Sequence, residues 1–203
     1  MDLKKINDEL RGKQPAEIIR WALQNAKKPI LTTNFRPYEA AILHAVTSQN
    51  SSVPVIWCDT GYNTPQTYNH AKRLIEKLNL KIDLFVPQQT VAYRAVFLGI
   101  PTVDSPEHSQ FTEEVKLEPF ARALQKHQPD LWFTNLRKDQ TAFRSALDIV
   151  TRSSDGILKV CPFFEWTEME LDKYLEENNL ENELNYFDPT KVFEHRECGL
   201  HTN

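Results

Sequence analysis

Short apolar, β-branched runs alternate with amphipathic stretches about five times along the chain, and this alternation limits the fold more than any other feature. Ile18, Ile19, Ala22, Leu23 and Ala26 recur at helical spacing before Pro29, and residues 30–33 then read as a short buried strand. Ala41, Ile42, Ala45 and Val46 share one face of a second helix. Residues 53–58 form an apolar strand closed by Asp59-Thr60-Gly61, and Thr64-Pro65 follows as an N-cap with proline in the first helical position. Tyr68, Ala71, Leu74, Ile75 and Leu78 are the buried stripe of that helix. Further strands are expected at 82–86, 131–134 and 157–161, and further helices at 90–98, 114–127 and 141–149, with an irregular Pro- and Ser-rich stretch before 114. Thr167-Glu168-Met169-Glu170 is a capping box, with Trp166 and Leu171 placed as a hydrophobic staple.

Strand and helix in alternation imply an α/β fold, a mostly parallel sheet with helices on both faces, and such sheets bind ligands at the carboxyl ends of their strands. The regular pattern stops at Leu180. One α/β domain over residues 1–179 and an irregular tail over 180–203 are therefore expected, and a length of 203 residues suits one compact unit.

Composition removes several function classes. A net charge of −4 gives no global positive field for nucleic acid or anionic membrane, so any bound anion must be held by a few local groups. Only five glycines occur, none spaced for G-x-G-x-x-G or a Walker loop, and G-x-S-x-G and H-E-x-x-H are absent. The first residues alternate charge with single apolar side chains and offer no secretory h-region, so a cytoplasmic location is expected. Three cysteines are an odd count, too few for a four-thiolate cluster or zinc site within one chain, and no metal site is expected.

Three loops at expected strand ends carry candidate chemistry. Thr32, Thr33, Asn34, Phe35 and Arg36 lead from strand to helix, where backbone N–H groups and hydroxyls suit a phosphate or sulfate; simple helix capping accounts for the same residues. Asp59, Thr60, Gly61 and Tyr62 close the second strand. Arg137, Lys138, Gln140 and Arg144 follow the fourth, with two guanidinium groups seven residues apart that can face one polyanion; a solvated charged turn is the plainer reading of such a run.

Cys198 lies in the polar run His195-Arg196-Glu197-Cys198-Gly199-Leu200-His201, where burial is hard to arrange. Arg196, His195 and His201 favour its thiolate, while Glu194 and Glu197 oppose it. Cys58 and Cys161 sit in apolar segments and read as inert core thiols.

Four segments in order resemble the sulfonucleotide reductases, specifically the phosphoadenylyl-sulfate (PAPS) reductases. They are Thr32-Thr33-Asn34-Phe35, Asp59-Thr60-Gly61-Tyr62 with Pro65 and Thr67-Tyr68, Arg137-Lys138-Asp139-Gln140 with Arg144, and Glu197-Cys198-Gly199-Leu200-His201. The resemblance implies an adenine-nucleotide alpha-hydrolase-like (PP-loop) fold, in which residues 1–179 bind the nucleotide and the tail carries the catalytic Cys198. It implies substrate contacts from Thr32, Thr33, Asn34, Phe35, Asp59, Thr60, Gly61, Arg137, Lys138, Gln140, Arg144, Arg196 and His201. The implied reaction is thiol-dependent reduction of PAPS to sulfite and adenosine 3′,5′-bisphosphate, as in sulfate assimilation, with reduced thioredoxin or glutaredoxin as electron donor and a homodimer as the assembly.

Relatives that use the non-phosphorylated nucleotide carry paired cysteines for an iron–sulfur cluster. This chain has no such pair, so the resemblance implies the cluster-free branch. The chain departs from the pattern in having Arg36 where the family has Gly, and His195 where it has Lys. It also has no Gly-Asp-x-His-Ser/Thr-Thr stretch between Leu180 and Glu194, which implies an altered site or one completed by a neighbouring subunit. A PP-loop ATP pyrophosphatase or adenylyl transferase would need a Ser-Gly-Gly-x-Asp-Ser loop that 32–36 lacks. A non-catalytic paralogue that binds a nucleotide or a partner is the other alternative.

Overall fold

The computed structural model describes residues 1–102 and 104–190. Its strands are β1 (Pro29–Thr33), β2 (Val55–Cys58), β3 (Ile82–Phe85), β4 (Leu131–Phe133), β5 (Val150–Arg152) and β6 (Leu158–Val160). They form one sheet in the order β3-β2-β1-β4-β6-β5, parallel throughout except for β5, which runs antiparallel to β6 at one edge. The α/β class and the mostly parallel sheet are as expected.

The period of two in each strand sorts side chains between two faces. Leu31, Val55, Trp57, Leu131, Phe133, Leu158 and Val160 enter one core, while Ile30, Ile56, Phe85 and Trp132 enter a second, smaller one. The larger core is roofed by α2 (Pro15–Asn25), α3 (Glu39–Gln49), α4 (Pro65–Leu78) and α9 (Glu168–Glu177). The smaller is covered by α7 (Glu118–His127), whose Phe120 and Ala123 pack on it.

The capping signals act as the sequence reading proposes. Thr64 Oγ1 accepts from Thr67 N at 3.1 Å at the start of α4. Thr167 and Glu170 complete a reciprocal box on α9, with Leu171 fully buried just beyond it.

Three elements differ from expectation. The helix expected over 141–149 is only α8 (Ala142–Ser145), because the β-branched run Ile149-Val150-Thr151 turns into β5. The edge of β5 is then closed by a side chain. Asn7, on the unanticipated helix α1 (Leu3–Leu10), donates Nδ2 to Val150 O at 2.9 Å and accepts from Val150 N at 2.8 Å, so one buried amide completes the ladder. The helix expected over 114–127 is longer and composite. The short helix α5 (Val91–Phe97) is followed by α6 (His108–Thr112), a π-helical turn (Glu113–Leu117) and then α7. Pro119, which has no N–H to give, stands at the start of α7, and the wider turn before it leaves consecutive Val115 and Lys116 both buried.

Residues 180–190 carry no regular structure. They return across the carboxyl edge of the sheet. Tyr38 N donates to Asn182 Oδ1 at 2.8 Å, and the Thr64 and Thr67 hydroxyls donate to Asn185 O at 2.8 and 3.0 Å.

Candidate active site

The loop between β1 and α3 is built around a carboxylate. Glu39, in the first turn of α3 and 6% exposed, accepts from the Thr33 hydroxyl at 2.7 Å, Asn34 N at 2.8 Å and Arg36 Nε at 2.9 Å. The Asn34 amide, oriented to satisfy its neighbours, donates to the same carboxylate at 3.1 Å and accepts from the Tyr186 hydroxyl at 2.6 Å. An anion belongs at a helix N-terminus, and here the chain supplies one of its own. Phe35 turns through φ 54° and buries its ring edge-on against Trp57, with centroids 4.8 Å apart. What Phe35 leaves to the loop is backbone, and its N–H is taken by Thr33 Oγ1 at 3.0 Å. Thr32 points to the opposite face, accepting from Trp132 Nε1 at 2.8 Å.

Arg36, which stands where the resemblance expects glycine, ties two loops together. Its Nη2 donates to Asn135 O at 2.8 Å, and Asn135 Nδ2 returns a bond to Tyr38 O at 3.2 Å. The Arg137 guanidinium lies 5.3 Å from the Tyr38 ring centroid, so the loops after β1 and β4 meet as the sheet topology requires.

The third loop follows β2. Asp59 accepts from Gly61 N at 2.9 Å, Asn63 Nδ2 at 3.0 Å and the Tyr68 hydroxyl at 2.9 Å. Burial, and behind it the Asp59 charge, pushes the Tyr68 phenol up, which keeps it protonated and donating. Gly61 has φ +82°, and a Cβ there would sit 2.7 Å from Val91 Cγ2, so the turn needs glycine for both conformation and space. Thr60 is buried, its hydroxyl accepting from Tyr62 N at 3.3 Å.

The arginine segment is gathered rather than spread in solvent. Arg137 and Arg144 are 3% and 4% exposed and share Gln140. Gln140 Oε1 accepts from Arg137 N at 3.2 Å and from Arg144 Nη1. Arg137 also pairs with Asp139 at 3.1 Å and Glu168 at 2.9 Å. Both carboxylates are well exposed, so an incoming anion can displace them from a guanidinium that is already fixed in place. The solvated-turn alternative is thus not what folds. Lys138 stays exposed and its Nζ lies 4.0 Å from Glu165, apart from the Arg137-Gln140-Arg144 group.

Cys161 is buried, its Sγ 3.3 Å from the Thr134 hydroxyl, and burial pushes its thiol up. Burial likewise pushes Cys58 up to about 12 against the opposing charges of Lys116 and Arg122. Neither is a nucleophile near neutral pH. The sequence expectations for Cys198, Arg196, His201 and His195 lie outside the described residues. Among the described residues no group of three or more His, Cys, Asp or Glu is placed to hold a metal, and no helix is long and apolar enough to cross a membrane.

Sequence reasoning missed Glu39, Tyr38 and Tyr186 as members of this edge. Glu39 carried one signal, an acid in the first turn of a helix behind a polar loop. The others are placed by long-range bonds that no local pattern announces.

The chain is similar to known proteins of one family. Residues 28–187 match the model of the phosphoadenosine phosphosulfate reductase domain. A phosphoadenosine 5′-phosphosulfate reductase of Aliivibrio salmonicida is 36% identical over 88% of this chain and 71% of its own. One from Vibrio atlanticus is 32% identical over 98% of this chain and 86% of its own, a span that reaches into the terminal segment. A crystal structure of PAPS reductase from Candida auris, a phosphate complex, superposes with a TM-score of 0.78 at 25% identity, covering 88% of this chain and 86% of that one. The FMN adenylyltransferase of Candida glabrata, at 11% identity and a TM-score of 0.59, covers 80% of this chain and 52% of that one, and shares the fold alone.

Proposed function

The chain belongs to the phosphoadenosine phosphosulfate reductase domain family, and from that premise we propose that it reduces PAPS to sulfite and adenosine 3′,5′-bisphosphate through a thiosulfonate on Cys198. The observation that carries this reading is the match of residues 28–187 to that domain. The nucleotide lies across the carboxyl edge of the sheet, between the loops after β1, β2 and β4. Arg137 and Arg144 face its phosphosulfate, Arg137 exchanging Asp139 and Glu168 for substrate oxygens. Positive charge there is needed because an anionic thiolate approaches an anionic sulfonate.

The Cys198 sulfur attacks the sulfate sulfur, the S–O bond to the phosphate breaks, and adenosine 3′,5′-bisphosphate leaves with the bonding pair. A dithiol of reduced thioredoxin or glutaredoxin then attacks Cys198, forms a mixed disulfide and expels sulfite. Its second thiol resolves that disulfide, so two electrons pass from the dithiol to the sulfur centre. Thr33, Asn34, Asp59, Thr60, Lys138, Gln140, Arg196 and His201 complete the substrate contacts, while Phe35 and Gly61 shape the loops that present them and Thr32, turned to the other face of the sheet, supports the first loop through Trp132. The enzyme works as a cytoplasmic homodimer without an iron–sulfur cluster, since its three cysteines include no adjacent pair.

The test uses PAPS labelled on sulfur. Incubation without reductant followed by non-reducing electrophoresis should leave label on the protein, released by dithiothreitol and lost in Cys198→Ser. Label retained by Cys198→Ser would end the mechanism.

A further inference from the structure

Cys198 lies eight positions beyond Thr190, and the chain just before that span is fastened by buried charge. Lys116, on the π-helical turn, reaches Asp188 Oδ2 and lies 3.1 Å from Thr190 Oγ1. Asp188 Oδ1 in turn accepts from Thr190 N at 3.0 Å and from the Thr190 hydroxyl at 2.6 Å. His108 Nε2 lies 3.1 Å from Pro189 O, which can only accept, so that nitrogen carries the proton. His108, Lys116, Asp188 and Thr190 are all buried. Burial works to raise the Asp188 carboxyl, but the charge and hydrogen bond of Lys116, helped by Thr190, override it and hold the group ionised.

Such a cluster is a poor way to gain stability, because desolvating two charges cancels much of their attraction and apolar side chains of similar size do as well. What a buried pair does well is fix register. The place it fixes is relevant here. The His108 ring is 6.0 Å from Phe111, whose ring is 5.6 Å from Tyr62 in the loop after β2. The fastened residues thus stand beside the candidate site.

We propose that Lys116, Asp188, Thr190 and His108 form a clamp that fixes the place and direction of the chain at Thr190, making them positioning residues for the Cys198 thiol. The proposal rests on the thiol mechanism above. Eight residues reach at most roughly 28 Å, at 3.3–3.6 Å each. With the clamp released, the next fixed point is Tyr186, bonded to Asn34, and the tether lengthens from eight residues to twelve. Effective concentration falling as the −3/2 power of length makes that worth only about twofold. A larger effect must come from direction, since misplacing a reacting group by an ångström costs up to about 100-fold.

The variants Asp188→Asn, Thr190→Val and Thr190→Ser, made in the full chain, separate these effects. Single-turnover labelling of Cys198 by saturating sulfur-labelled PAPS should slow by about tenfold or more in Asp188→Asn and Thr190→Val. Calorimetric affinity for adenosine 3′,5′-bisphosphate should stay within about twofold, and Thr190→Ser, which keeps the hydroxyl, should label near the wild-type rate. If Asp188→Asn fails to fold, the Val and Ser variants at 190 decide. Slowing of Thr190→Val by threefold or less, which a longer tether alone explains, overturns the clamp, as does a loss that appears in nucleotide affinity instead. Sulfite production by Cys198→Ser would remove the thiol mechanism and the clamp together, whereas an inactive Cys198→Ser with a fast Thr190→Val removes the clamp alone.

Discussion

The Glu39 carboxylate sits where a phosphate-binding loop would receive its ligand, holding Thr33, Asn34 and Arg36. A polyanionic nucleotide approaching this loop meets that charge, and at partly buried distances of about 4 Å a unit charge is worth a few kcal/mol. Removing it should therefore help binding more than losing one acceptor harms the loop. We expect Glu39→Gln to tighten adenosine 3′,5′-bisphosphate by about tenfold in calorimetry, equivalent to about 1.4 kcal/mol. Weaker binding would mean that the carboxylate organises the loop rather than competes with the ligand. The cysteines make a second test at this scale. With Cys58 pushed up to about 12 and Cys161 buried, the folded chain at pH 8 should take up one iodoacetamide per molecule, at Cys198, by mass spectrometry. Alkylation of Cys58 or Cys161 at a comparable rate would contradict their core placement.

At the scale of elements, what could be read beforehand was what local chemistry writes. Periodicity located five of the six strands, and the Thr64-Pro65 and Thr167–Glu170 signals located two helix starts. The missed strand β5 is three residues long and pairs antiparallel with β6, an arrangement decided by distant partners. Asn7 is one of them. Replacing it by alanine strands a buried N–H and a buried carbonyl of Val150, at about 1–3 kcal/mol for each unmade bond. A lower denaturant midpoint with an unchanged slope is expected for Asn7→Ala; no change would show that water replaces the amide. The π-helical turn was equally invisible, since its effect is to bury Lys116, and the reason for that lies at Asp188 and Thr190, more than seventy positions on. For the site, the three loops were legible because a parallel sheet gathers them at one edge. Their cross-links through Arg36, Asn135 and Tyr186 were not, because they exist only once the sheet has formed.

At the scale of the molecule, the sheet brings three candidate loops together and the returning segment 182–190 fastens to two of them, eight positions and more before Cys198 in the chain. The bonds of this crossing segment to Tyr38, Thr64 and Thr67 come from an asparagine side chain and a backbone carbonyl, so it brings no charge to the edge at those points. The most direct measurement is the yield of sulfite against adenosine 3′,5′-bisphosphate when the purified chain turns over PAPS with reduced thioredoxin. One sulfite per nucleotide, abolished by Cys198→Ser, is the predicted result. Nucleotide release without sulfite, or no turnover with thioredoxin or glutaredoxin, would contradict it.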